Sequence, residues 1–158
     1  MDKKIYAVDS AVANIFANVS VEQVVDKLVN KVNKTKEKQG TTCVGGSISI
    51  KVSEDYKFKI DYDVAGYIYS INFKLYEKDT KGKYWECEGH YISSIKETNL
   101  CEELQKYICK YIEWRLSHYE ERIIYYENRK DMEHIRNKII EDWNKLTGLD
   151  YLEFNKVA

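Results

Sequence analysis

Histidine and cysteine are the side chains most often recruited for proton transfer and nucleophilic attack near neutral pH, and this chain offers His90, His118 and His134 beside Cys43, Cys87, Cys101 and Cys109. Their spacing decides what they can do. Cys87 and His90 fall in a stretch that alternates like a strand, so they face opposite sides and cannot share a proton unless Gly89 introduces a bulge. His118 has Glu121 three residues on, and His134 has Asp131 three before and Glu127 seven before, all on one helical face. Two carboxylates and an imidazole can hold a divalent metal, but no fourth ligand stands at a suitable spacing. No C-x-x-C pair occurs, so the cysteines read as buried, reduced thiols and not as a zinc site. Gly45-Gly46 lacks the further glycines and the Lys-Ser/Thr of a phosphate-binding loop. The residues therefore point to no catalytic site, no metal and no cofactor. A small-ligand pocket using His90, Glu88 or Glu86, between a sheet and helices, is the enzyme-like alternative.

The chain has 158 residues, 44% of them hydrophobic and 32% charged, with a formal net charge of −1. That balance suits one folded domain with a real core and lacks the basic surplus that neutralising phosphates demands. A nucleic-acid accessory role remains a lesser alternative. Its candidates are Lys31, Lys34, Lys36 and Lys38, late on a helix, with Lys57 and Lys59 on a strand. The simpler reading is a helix end matched to its own dipole. No apolar run approaches the roughly 20 residues that span a bilayer, and the start lacks a secretory pattern. The expectation is a cytoplasmic protein with no membrane role. Fourteen tyrosines, no proline and heavy use of Lys, Asn and Ile resemble the coding of an AT-rich genome, such as a low-GC bacterium or its phage.

The elements that would position these residues centre on residues 47–92. Ile48, Ile50 and Val52 alternate with polar residues, then Tyr56, Phe58, Ile60, Tyr62 and Val64, then Tyr67, Tyr69, Ile71, Phe73 and Leu75. A fourth, weaker run puts Trp85, Cys87 and Tyr91 on one side and Glu86, Glu88 and His90 on the other. The connections are too short for parallel crossovers, so the strands pair in order as an antiparallel meander with one apolar face. Residues 41–46 read as a loop.

Helical periodicity flanks the sheet. Val21, Val24, Val25, Leu28, Val29 and Val32 form a stripe over residues 21–36, opened by Ser20 and Gln23 at capping-box spacing and closed by Gly40. Before it, Ser10 is a candidate cap for a short helix through Phe16. From Asn99 an apolar stripe runs through Leu100, Leu104, Ile108, Ile112, Leu116 and Ile123. It is interrupted near residues 128–131, where Asp131 can cap a second helix that Gly148 ends; a break at Ser117 is the alternative. Aromatic Tyr151 and Phe154 predict that the tail docks.

The reading is an α+β fold: a four-stranded antiparallel meander covered on one face by an N-terminal helix and a long C-terminal helical region, in the order α-β-β-β-β-α-α. Residues 1–40, 41–95 and 96–158 are its N-terminal helical, sheet and C-terminal helical parts. Tyr107, Tyr111, Trp114, Tyr119, Tyr125 and Tyr126 surround more than one side of the long helix, and interfaces enrich such amphipathic aromatics. The functional expectation is a non-catalytic protein-binding module, of the phage or mobile-element inhibitor type (anti-CRISPR or immunity protein) that blocks a bacterial enzyme. A homodimer through the C-terminal helices is the second partner expectation.

Overall fold

The period-two alternation becomes four strands in a computed structural model that describes residues 2–156, with the backbone alone at Glu88. They are β1 (Cys43–Lys51), β2 (Tyr56–Ala65), β3 (Ile68–Lys78) and β4 (Tyr84–Lys96), paired antiparallel in the order β1-β2-β3-β4. The helices are α1 (Lys3–Ile15), α2 (Val21–Gln39), α3 (Leu100–Tyr125), α4 (Glu133–Thr147) and α5 (Tyr151–Lys156). The fold is α+β, as the periodicity predicts, with one helix more at each end. Its contacts form two compact units: residues 16–107, and the described part of residues 1–15 with 108–158.

In the sheet unit, register explains burial. Ile50, Phe58 and Leu75 lie side by side across three strands, Ile60 and Phe73 side by side across two, and all five are buried on one face. Phe16 stacks on Phe58 with ring centroids 5.5 Å apart, and Tyr107, in the first turns of α3, stacks on Phe73 at 5.7 Å. Val24, Val25, Leu28 and Val32 of α2 are buried as well. Fully burying one such side chain stabilises by about 1.5–3 kcal/mol, so this layer holds the unit together. The opposite face carries Ser47, Asp61, Asp63, Ser70 and Asn72.

Turn chemistry follows the sequence. The Ser20 hydroxyl accepts from the Gln23 amide while the Gln23 side chain accepts from the Ser20 amide, so the capping box is complete. Gly40 (φ 65°) ends α2 in the left-handed region, where a side chain is strained.

Four expectations need correction. The first helix starts at Lys3 and not near Ser10, because the Asp2 carboxylate accepts from the Lys4 amide and caps it earlier. Residues 43–46 are strand and not loop, with Gly45 and Gly46 opposite Asp63 and Tyr62. A Cβ on Gly46 would stand 2.8 Å from the Tyr62 hydroxyl, so the glycine makes room for the ring. Asp131 lies in a 3₁₀ turn, Lys130–Met132, and does not cap α4, which begins after Met132 without a side-chain cap. After Cys87 the fourth strand reads in the opposite phase. A register shift between Lys74 and Tyr76 places His90 beside Phe73, on the buried side, and Tyr91 beside Asn72 on the open one.

In the helical unit, α3 passes through Ser117 without a break and ends at Tyr125. The Asn14 side chain of α1 donates to the carbonyls of Lys145 and Leu146 at the end of α4 (2.6 and 3.0 Å). Gly148 (φ 71°) ends α4, and Trp143 is fully buried between Tyr151 and Phe154, with centroids 5.2 and 5.1 Å away, so the tail is docked.

Candidate functional site

The groups with chemical potential are kept apart. His90 lays its ring on Tyr107, with centroids 5.6 Å apart and planes within 5°, while the Cys87 sulfur lies 4.0 Å from a Glu77 carboxylate oxygen. His118 stacks on Trp114 at 5.8 Å. Among the described residues no three His, Cys, Asp or Glu side chains converge as metal ligands, and Glu127, Asp131 and His134 do not share the one helix face that their spacing suggests, since Glu127 follows the end of α3, Asp131 lies in the 3₁₀ turn and His134 opens α4. The cysteines are less buried than their type suggests: Cys43 is exposed and the other three half-buried. Burial, then the nearby Glu22 and Asp26 carboxylates, push the Cys101 thiol up, away from the reactive thiolate.

The shifted groups lie in the packed interior or in surface ion pairs. Burial raises the Tyr69 hydroxyl well above its ordinary value, reinforced by its 2.8 Å hydrogen bond to Glu97. Burial also raises Glu120, partly offset by the indole N–H of Trp143 and the charge of Lys4. That indole N–H meets no acceptor at hydrogen-bond distance, so Glu120 feels its dipole without a bond. At the surface, Lys78 and Lys51 draw Glu54 down, and Lys74 is raised by Asp61, 3.1 Å away.

Two shallow depressions lie in the sheet unit. One of about 450 Å³ lies over the open face beside Asp61, Asp63, Asn72 and Tyr91. The other, about 480 Å³, runs between α2 and β1 and is lined by Lys27, Asn30, Lys31 and Lys34 with residues 47–50. His90 and Glu86 line neither.

The six α3 aromatics divide. Tyr107, Tyr111 and Tyr119 are buried and belong to the core of their units, Tyr126 is half-buried, and Trp114 (52% exposed) and Tyr125 (59%) face solvent. Trp114, His118 and Tyr125 fall at i, i+4 and i+11, within one narrow stripe about 16 Å long. Ile124, 64% exposed, sits beside it. Arg115 lies 5.9 Å from the Trp114 ring, and Arg129 lies 4.4 Å over the Tyr125 ring. Sequence reading missed Ile124, although an isoleucine outside the core stripe was the signal.

The six candidate lysines form no single track. Lys31 and Lys34 border the α2–β1 groove, and Lys36 donates to the Gly66 carbonyl over the Tyr67 ring. Lys57 and Lys59 lie on the open face of the sheet, where Lys57 sits over Tyr84 at 4.5 Å. Lys27, four residues before Lys31, was the member of the row that spacing should have included.

The described residues thus present an α+β scaffold with exposed aromatic and cationic patches. No protein-family model, curated protein or solved structure matches the chain. No helix among the described residues is long and apolar enough to cross a membrane.

Proposed function

We propose that this chain is a non-catalytic protein-binding module, of the inhibitor type by which a phage or mobile element blocks a bacterial enzyme, and that the exposed stripe of α3 is its contact surface. The observation that carries the reading is the group Trp114, Ile124 and Tyr125, exposed together and flanked by Arg115 and Arg129. Trp, Tyr and Arg are the residues that dominate binding energy at protein interfaces. An aromatic ring held in water by its own helix gains most when a partner desolvates it. The inhibitor role rests on composition and on the absence of a reactive constellation in the sequence.

The test is affinity capture from lysate of a low-GC bacterium, with the Trp114→Ala/Tyr125→Ala double variant beside the wild type. The expected result is one captured protein, lost with the variant while its circular dichroism and melting temperature hold, since both side chains are exposed. Each hot-spot truncation should weaken the complex by roughly thirtyfold or more. Capture that is identical with the variant, or recovery of nucleic acid alone, would overturn the reading. Sedimentation of the pure protein reads the second partner expectation: a dimer abolished by the same variant would assign the stripe to self-association.

A further inference from the structure

The backbone at the outer edge of β1 has a definable polarity. The Val52 amide donates to the Tyr56 carbonyl and the Gly66 amide to the Thr42 carbonyl, at the two ends of the β1–β2 ladder. Hydrogen-bonded pairs alternate along an antiparallel ladder, so Val44, Gly46, Ile48 and Ile50 direct their N–H and C=O groups at β2. Gly45, Ser47 and Ser49 therefore direct theirs away from the sheet, as donor–acceptor pairs roughly 7 Å apart. All three residues are exposed, and β1 has no strand on that side.

The groove alongside is the edge itself. Neighbouring strand residues point to opposite faces, so four consecutive residues, 47–50, can line one depression only from the strand's side. Across it stand Lys27, Lys31 and Lys34, all exposed and none in an ion pair among the described residues. Between Cys43 and Ile50 the strand has no charge, proline or register shift, the devices that normally keep such an edge from pairing.

We propose that the edge of β1 and the lysine row of α2 form a docking site for an extended acidic segment of another protein, taken up as a fifth strand of the sheet. Its backbone would satisfy both donors and acceptors of Gly45, Ser47 and Ser49, as β-augmentation does. Its alternate side chains on the α2 side would set carboxylates against the three lysines. Those on the other side meet the face of Asp61 and Asp63 and should be uncharged. A nucleic acid leaves the outward carbonyls unpaired and turns phosphates toward them. A second copy paired β1 to β1 would bring two α2 lysine rows together on one face. The site belongs to the binding-module reading but uses a surface other than α3, so failure of either surface leaves the other standing.

The experiment titrates the full chain into labelled peptides of about ten residues that alternate Thr with Glu or Thr with Lys, followed by fluorescence anisotropy. The Thr-Glu peptide should bind, more weakly at higher salt, and the Thr-Lys peptide should not. Ser47→Pro removes one outward N–H without touching the β1–β2 ladder and should weaken binding about tenfold or more. Lys27→Glu/Lys31→Glu/Lys34→Glu should do the same, while Ser47→Ala, which keeps the backbone, should not. Should Ser47→Pro fail to fold, amide exchange decides: the Gly45, Ser47 and Ser49 amides must slow in the complex. No peptide binding, binding indifferent to Ser47→Pro in a folded variant, or an oligouridylate that binds more tightly than the peptide would overturn the proposal. So would a dimer of the chain that Ser47→Pro dissociates.

Discussion

At one edge of the sheet, β4 shifts register twice against β3, holds Ser94 at φ 58° and carries Glu86 and Lys96. At the other, β1 keeps an unbroken register with β2 over nine residues and, before Lys51, has no charged side chain. Both end the same sheet and leave backbone groups unpaired by a strand. Bulges twist an edge away from incoming strands and charges make pairing costly, so β4 is finished as an edge that stays an edge. The regular one, bordered by the lysines of α2, is where another chain can add.

Proline separates the inward and outward amides of β1 most strongly. Ile48→Pro removes an amide that serves the β1–β2 ladder and should cost about 3 kcal/mol. Ser47→Pro, one residue away, removes an outward amide and should cost less than about 1 kcal/mol. Urea unfolding of the two variants reads the difference, and equal costs would refute the assigned polarity of β1.

A second variant probes why β1 is smooth. Gly46→Ala would place its Cβ 2.8 Å from the Tyr62 hydroxyl, in a ring that is buried, and should cost about 1–3 kcal/mol. Combining it with Tyr62→Phe should recover part of that loss in a double-mutant cycle. Additive costs would mean that the ring is not what excludes a side chain.

At the β4 end, Asp79 holds the hairpin: Trp85 Nε1 donates to it at 2.6 Å, and the Lys81 and Lys83 amides at 2.9 Å each. The Trp85 bond first, then that of Lys83, hold its carboxyl below the ordinary 3.8. A carboxyl depressed on folding contributes its full stability above the unfolded value and loses it as pH falls through the folded one. The melting temperature should therefore fall below about pH 3.8 with an Asp79 component that Asp79→Asn abolishes, while the variant is less stable at neutral pH. A parallel acid profile in both proteins would contradict it. The smallest effect belongs to Ser94→Gly, which relieves a left-handed conformation and should stabilise by about 0.5 kcal/mol, net of the added freedom of the unfolded chain.

How far the sequence spoke depended on side chains reporting their own surroundings. Tyr56 through Val64 alternate without interruption because β2 is central and one face is buried along its length. Ser20 and Gln23 announce α2 because a capping box is local. The start of β1 was hidden because Gly45 and Gly46 have no side chains with which to alternate. In β4 the bulge reverses the phase after Cys87, so His90 appeared on the wrong face. The α3 aromatics were ambiguous for another reason: Tyr111 and Trp114 stand three residues apart on neighbouring parts of one helical surface, and only packing separates the buried ring from the exposed one. That β1 is an edge follows from the in-order meander; its full length and regularity were hidden, because Gly45 and Gly46 lie in its first half.

The most direct test of the unguarded edge is residue-resolved amide exchange of the free protein. The Gly45, Ser47 and Ser49 amides should exchange rapidly while those of Val44, Gly46, Ile48 and Ile50 are protected, an alternation along one strand. Uniform protection from Val44 to Ile50 would mean that the outward groups already have partners, and β1 would not be a place for another chain to add.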